Sequence, residues 1–363
     1  MKNIFVAATR QNDGKTMVSL GMFSEFRKRF SKVAYMKPVG QQYKIVDNEK
    51  IDKDAVLMHF TYDLSDKLSD MSPIAVPRGF TSSYIRNGDR SRLVDRVKAS
   101  YERLSQGKDF LLIEGTGHAG VGSVFDMSNA DTAKLLGSKV VIVSLGGVGR
   151  PIDEIMLNKA VFESKGVELL GVIINKVASE NYDKIKEIVG LGLKRHGIRL
   201  FGVVPMVQNL SLPSVAELVE DLDAELLSGD QIQLSNTIGR FIIGDMQPHE
   251  AIDKFVNNTL LIVPGNRDGI IVTALYESLL DDRSNRNVAG MVFTDGIRPP
   301  QKIVDLIRRS GIPVMLVEED SFSVATKINN SIFKLRAEET EKIKISQELV
   351  ANHVDIDGIC ELI

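Results

Sequence analysis

Lys2-Asn3-Ile4-Phe5-Val6-Ala7-Ala8 runs into Thr9-Arg10-Gln11-Asn12-Asp13-Gly14-Lys15-Thr16, and this junction decides the fold. Ile4 to Ala8 is an unbroken apolar run of strand length, as in a strand covered on both faces. From Met17 to Phe30, the residues Val18, Leu20, Met22, Phe23 and Phe26 fall mostly on one side of a helix. A strand, a tight loop and a helix opening on Gly-Lys-Thr form the layout of a phosphate cradle. Backbone N–H groups of Asn12, Asp13 and Gly14 and the helix N-terminus would face an anion. Lys15 adds a point charge for the outer phosphates, and the Thr16 hydroxyl is suited to Mg2+. The usual pattern has a glycine where Thr9 stands, with the small residue here one place earlier, at Ala8. A turn that happens to contain Gly-Lys-Thr is the competing reading.

The rest of the chain repeats the rhythm. Strands are expected at 32–36, 109–113, 139–144, 169–174 and 199–204, with helices at 52–60 and 92–104. Another helix opens at Pro151, a residue favoured at the first helical position. Residues 61–90 read as irregular. Polar or glycine-rich residues gather where the strands end: Lys37-Pro38-Val39-Gly40, Glu114-Gly115-Thr116-Gly117, Leu145-Gly146-Gly147 and Asn175-Lys176. That pattern predicts an α/β fold, a doubly wound and mostly parallel sheet over residues 1–206 with its ligand outside the carboxyl ends of the strands. A smaller α/β domain is expected over 207–335. It would hold a helix at 214–227, strands at 241–243, 259–263, 289–293 and 313–317, and helices near 267–280, 300–310 and 321–333. A charged helical tail, 336–363, closes the chain.

Composition narrows the function classes. The 363 residues are 43% hydrophobic and 26% charged, with a net charge of −3, an ordinary globular balance that gives no reason to expect nucleic-acid binding. No apolar run is long enough to span a bilayer, and the N-terminus runs directly into a strand the loop needs. A cytoplasmic location is the default expectation. The single cysteine, Cys360, excludes an intramolecular disulfide and a thiolate metal cluster.

Several side chains admit both a chemical and a structural reading. Glu114 ends an apolar strand, where a metal-supporting carboxylate belongs; otherwise it is an exposed acid. Asp54 and Asp52 are weaker metal candidates or a solvated helix face. Lys37 is an amine near the phosphates or a surface lysine. Asn175 has the donor and acceptor needed for an adenine edge, or it caps a turn. Gly117 and its neighbouring glycines suit close approach of a ligand, or form a mobile surface loop. His118 follows them, and Arg78 lies in the irregular segment; both are candidates for substrate contact or plain surface and structural residues. In the second domain, Asn266 is a candidate helix cap, and the helix after it a candidate anion site.

The loop, Lys37-Pro38-Val39, Asp54, Glu114-Gly115-Thr116-Gly117 and Val172-Ile173-Ile174-Asn175-Lys176 resemble the dethiobiotin synthetase and cobyrinic acid a,c-diamide synthase group. The nearest resemblance is to the N-terminal part of long bacterial phosphotransacetylases, where such a domain is followed by a regulatory DRTGG domain. Leu212-Pro213-Ser214-Val215-Ala216-Glu217, Gly265-Asn266-Arg267-Asp268 and Ser310-Gly311-Ile312-Pro313-Val314 carry that second likeness. The resemblance implies ATP and Mg2+ as cofactors, with Lys15 and Thr16 on phosphate and metal. Asp54 and Glu114 complete the metal site, Lys37 touches the reacting groups, and Asn175 touches adenine. It also implies homodimers. Two functions follow as expectations: ATP-dependent, ligase-like activation of a small carboxylate or related acid, or a nucleotide and metabolite sensor that regulates a partner enzyme such as phosphotransacetylase. Neither a glutaminase domain nor the transacetylase domain is expected in this chain. A partitioning ATPase is disfavoured, because Arg10 stands where those proteins carry a lysine.

Overall fold

The computed structural model describes residues 1–256, 258–279, 288–330 and 335–363. They form two compact units: Met1–Val207 with Leu335–Ile363, and Gln208–Lys334. Residues 336–363, read from sequence as a tail, therefore belong to the first unit. They form helices Thr340–His353 and Ile356–Cys360.

The first unit is built on six strands: β1 (Lys2–Ala8), β2 (Val33–Met36), β3 (Phe110–Glu114), β4 (Lys139–Leu145), β5 (Leu169–Val177) and β6 (Leu200–Pro205). Their order is β6-β5-β4-β1-β3-β2, and every neighbouring pair is parallel. Helices cross over on both faces, which is why the strands are nearly continuous apolar runs; all five residues of β3 are buried. The chain moves from β1 to one side and later returns to the other, so the carboxyl end of β1 lies at a switch point, where such sheets place their ligands. Register then sets the chemistry. Val6 pairs with Glu114, and Met36 with Ile113, so Lys37 leaves β2 beside the Glu114 end of β3. On the other side Ala8 pairs with Val143, which puts Thr9 next to Ser144.

The helix after the loop runs Lys15–Arg29. The C-terminal helix Thr340–His353 lies close against it, because Gly21 presents no side chain. A Cβ there would stand 2.4 Å from a methyl of Val350 and 2.9 Å from the Ser346 carbonyl. Tyr62, the last residue of helix Lys53–Tyr62, donates to the Leu20 carbonyl at 2.6 Å and accepts from Gln347 at 3.1 Å. Arg29 adds an ion pair to Asp357 at 2.6 Å.

Residues 61–90 are more ordered than their sequence suggested. Two short helices, Leu68–Met71 and Phe80–Asn87, flank strand Ile74–Ala75, which pairs with Val39–Gly40. An antiparallel hairpin, Tyr43–Val46 with Glu49–Asp52, was not anticipated either.

The second unit holds β7 (Glu225–Ser228), β8 (Arg240–Ile243), β9 (Thr259–Pro264), β10 (Val288–Thr294) and β11 (Val314–Leu316), in the order β7-β11-β10-β9-β8. Only β7 is antiparallel to its neighbour. The helix expected at 214–227 stops at Asp221: Asp223 takes a left-handed φ of 50°, and the apolar residues beyond it join the sheet as β7. Helices Asp268–Leu279, Gln301–Ser310 and Ser321–Asn330 fill the remaining places. Residue 280 and residues 331–333 of the expected helices lie outside the described residues.

Candidate functional site

The loop after β1 is shaped by its own side chains. Asp13 folds back, accepting from the Thr9 hydroxyl at 2.6 Å and from the Arg10 amide at 2.8 Å. Thr9 also meets the Ser144 hydroxyl at 3.1 Å. A glycine in place of Thr9 would lack both contacts, so the departure from the usual pattern is structurally used. Asn12 and Gly14 have left-handed φ of 69° and 82°, which turns the chain sharply into the helix. The first amides of that helix have no intrahelical acceptor and carry the positive end of its dipole. Burial raises the Asp13 carboxyl above its ordinary range, against the pull of Thr9.

Beside the loop, cations converge on one carboxylate. Glu114 Oε1 accepts from Lys15 Nζ at 3.1 Å, from Thr16 Oγ1 at 3.0 Å and from Lys37 Nζ at 3.0 Å. Its other oxygen accepts from the Tyr35 hydroxyl at 3.0 Å. Lys37 also donates to Asp54 Oδ2 at 2.5 Å. The side chains of Glu114, Asp54 and Lys37 are 0%, 2% and 3% exposed. Desolvation of buried charges is strongly unfavourable, so such a group persists only when its members satisfy one another. Burial works to raise the Glu114 carboxyl, but Lys37 and then Lys15 outweigh it and hold it below its ordinary value. Burial likewise works against the Lys37 ammonium, and Asp54 and Glu114 reverse the sign and hold it above the usual lysine range. Asp52 supports the group from behind. Buried itself, it accepts from the Asp54 amide at 2.9 Å and caps the helix that carries Asp54.

The exposed-surface readings of Glu114, Lys37 and Asp54 do not hold, since all three are buried together. Asn175 is also fully buried, and it sits under the loop: its Nδ2 donates to the Asp13 carbonyl at 2.9 Å, while its Oδ1 has no hydrogen-bond partner. Gly117 meets the end of β1 ahead of the loop: its carbonyl accepts from the Ala8 amide at 3.2 Å. His118 next to it is exposed, and its Nδ1 accepts from the Gly120 amide at 3.2 Å. Arg78 is exposed ahead of helix Phe80–Asn87. Its segment runs along Lys37-Pro38-Val39-Gly40, where the Val76 amide donates to the Gly40 carbonyl at 2.8 Å.

Sequence reasoning missed several supporting residues. Tyr35 gave only a strand signal. Asn129 holds the glycine loop by accepting from the Thr116 amide at 2.9 Å and donating to the His118 carbonyl at 2.7 Å. Asn158, on helix Gly149–Ser164, accepts from the Ala119 amide at 2.7 Å. Neither asparagine lies in a motif. Lys176, adjacent to Asn175, donates to the Asn12 carbonyl at 2.9 Å.

The donor set suits a hard cation. Thr16 Oγ1 and Glu114 Oε1 are two adjacent oxygens, and Mg2+ needs only one or two from protein when phosphates and water supply the rest. No group of three His, Cys, Asp or Glu side chains forms a metal-holding cluster among the described residues.

Residues 2–214 match the model of an AAA domain, and residues 217–331 match that of the DRTGG domain. Similar curated proteins include the phosphate acetyltransferase of Nitratidesulfovibrio vulgaris, 26% identical over 97% of this chain and 50% of that protein. That of Pseudomonas putida is 23% identical over 98% of this chain and 51% of its own length. The chain thus spans about half the length of the curated relatives it matches. Among solved structures, the MinD septum-site protein of Pyrococcus horikoshii with Mg-ADP is 14% identical over 58% of this chain and 83% of its own, at a TM-score of 0.37. The CBS and DRTGG domains of Clostridium perfringens pyrophosphatase are 15% identical over 48% of this chain and 85% of theirs, at a TM-score of 0.29. At such scores these are loose likenesses.

Proposed function

This chain belongs to the AAA domain family over residues 2–214, and we propose that its first unit binds ATP with Mg2+ as a sensor regulating a metabolic enzyme of the phosphate acetyltransferase kind. The observation that carries the reading is the convergence of Lys15, Lys37 and Thr16 on Glu114 at the mouth of the loop. In this arrangement Glu114 occupies the cations that a nucleotide would otherwise engage. Phosphates arriving at the loop would draw Lys15 from Glu114 onto their own oxygens, and the loop amides would complete the cradle. Thr16, with Glu114 and Asp54, would hold Mg2+, which when bound offsets the charge of the phosphates. Asn175 and the loop backbone of Asn12, Asp13 and Gly14 hold the cradle in shape. The likeness to phosphate acetyltransferases over about half of their length supports a regulatory role, and the DRTGG domain would read a second metabolite. A homodimer is the assembly expected.

A second reading is favoured by one residue. Lys37 presents a charged amine next to Glu114 rather than an inert strand end, a placement suited to steadying a transferring phosphoryl group. ATP-dependent, ligase-like activation of a small carboxylic acid is the activity that follows, with Gly117, His118 and Arg78 on the acid side. The test is a thermal-shift and ADP-release screen with nucleotides and small acids, with Lys15→Ala as control. Stabilisation by Mg-ATP without acid-dependent ADP release supports the sensor; release stimulated by one acid supports the ligase. Absence of any nucleotide effect overturns both.

A further inference from the structure

The end of β5 presses two consecutive side chains against two consecutive carbonyls of the loop. Asn175 Nδ2 reaches the Asp13 carbonyl at 2.9 Å, and Lys176 Nζ reaches the Asn12 carbonyl at 2.9 Å. Alternation along a strand would send these side chains to opposite faces of the sheet. The chain avoids this at Lys176, whose φ of 55° is left-handed. That conformation is uncommon for a residue with a long side chain and persists where surrounding contacts hold it. The fit is tight. A Cβ on Gly14 would come within 2.2 Å of Asn175 Nδ2 and 3.3 Å of Lys176 Cε. The loop therefore rests on the Asn175-Lys176 pair with no side chain between them. Asn12 and Gly14, the two left-handed residues of the loop, flank the carbonyls being held.

We propose that Lys176 is a positioning residue, a latch that pins the Asn12 carbonyl outward so that the following amides face the phosphates. A carbonyl and the next residue's N–H belong to one rigid peptide plane. Fixing the Asn12 and Asp13 carbonyls thus fixes where the Asp13 and Gly14 amides point. The latch is distinct from Lys15: it acts on the loop backbone and needs no contact with a ligand. Burial lowers the Lys176 ammonium below the ordinary lysine value, against the attraction of Asp13, so the charge on the latch is lost earlier in alkali than an exposed lysine would lose it.

The proposal deepens the reading of residues 9–16 as a phosphate loop, but it is tested first on the ligand-free chain, where that reading is not needed. Amide hydrogen exchange is followed in wild type, Lys176→Met and Lys176→Arg at one pH. In K176M, fragments covering residues 10–20, in which Asp13 holds the Arg10 amide and the Gly14 carbonyl holds the Val18 amide, should exchange about tenfold faster, reporting local opening. K176R, which keeps a donor of similar reach, should restore the slow rate, and fragments from β1, β4 and β6 should match wild type in all three. Unchanged loop exchange in K176M, or acceleration spread evenly over the sheet, overturns the latch. The same variants are then titrated with Mg-ATP. K176M should bind about tenfold more weakly and K176R like wild type. If wild type binds no nucleotide while the exchange result stands, the nucleotide reading fails and the latch survives.

Discussion

Both units end parallel strands on turns rich in glycine and polar residues, yet the two ends differ in kind. In the first unit the strand ends bring Lys37, Asp54 and Glu114 into one buried group of opposite charges, and the half-buried Lys15 and Thr16 reach it from the loop. In the second unit the turns pair mostly with one another, although Glu319 Oε2 is buried without a hydrogen-bond partner among the described residues. The Asp295 amide donates to the Glu319 carbonyl at 2.9 Å, and the Thr294 and Ser321 hydroxyls meet at 2.9 Å. Among the described residues, Arg267 reaches the carbonyl of Met246 at 3.3 Å and that of Asp245 at 3.5 Å. Buried polar residues of the second unit, among those described, are Ser214, Glu217, Thr259 and Thr294, with no lysine or arginine. The carboxyl end of a parallel sheet is thus a permissive place rather than a site. What marks a site is side chains held together at an electrostatic cost that the fold alone does not require.

The comparison breaks most easily at Lys37. Lys37→Met would leave Asp54 and Glu114 buried without their shared cation, and should lower the unfolding free energy by about 3–5 kcal/mol, read from urea denaturation. A change within experimental scatter would remove the distinction between the two strand ends. The next effect probes the first unit away from its loop. Gly21→Ala forces a methyl against Val350 and the Ser346 carbonyl and should cost about 1–3 kcal/mol in the same assay.

The pH dependence sharpens the comparison further. The Glu114 carboxyl is held below its ordinary 4.5, so its stabilisation is present above that pH and is lost as pH falls through the lower folded value. Lys37 is held above its ordinary 10.5, so its share is present below that pH and is lost as pH rises through the higher folded value. Between those limits the cluster contributes a flat profile. Glu114→Gln should weaken the acid limb of the wild-type unfolding curve; an unaltered acid limb in that variant would mean that the cluster does not set it. The smallest effect belongs to the second unit. Arg267→Ala should change stability by about 0.5 kcal/mol or less and leave Mg-ATP affinity unchanged in a calorimetric titration.

Much of this was legible in the sequence, and the limits are physical. The parallel sheet and the loop were readable because β1, β3, β4 and β5 are apolar runs closed by glycine or polar residues. Sheet register then brings Lys37 and Glu114 together. What could not be read are residues whose roles exist only through contacts distant in sequence. Asn158 lies mid-helix, and Tyr35 lies in a buried strand. The C-terminal helix was evident, but its seat on the loop helix depends on Gly21 facing Val350, a match no periodicity reveals. Residues 61–90 looked irregular because their elements are a single-turn helix, an eight-residue helix and a two-residue strand, too short to set up a clear period. The helix expected to run to 227 was overextended because its apolar residues continue past Asp223, where the backbone reverses.

The central claim is that the loop after β1 holds the phosphates of ATP through Lys15. Isothermal titration of Mg-ATP into wild type and Lys15→Ala, with matching circular dichroism to confirm an intact fold, tests it most directly. The expected result is saturable binding to wild type and at least about tenfold weaker binding to K15A, the loss of a charge-assisted contact. Equal affinity in the two proteins, or no Mg-ATP binding to wild type, would contradict it.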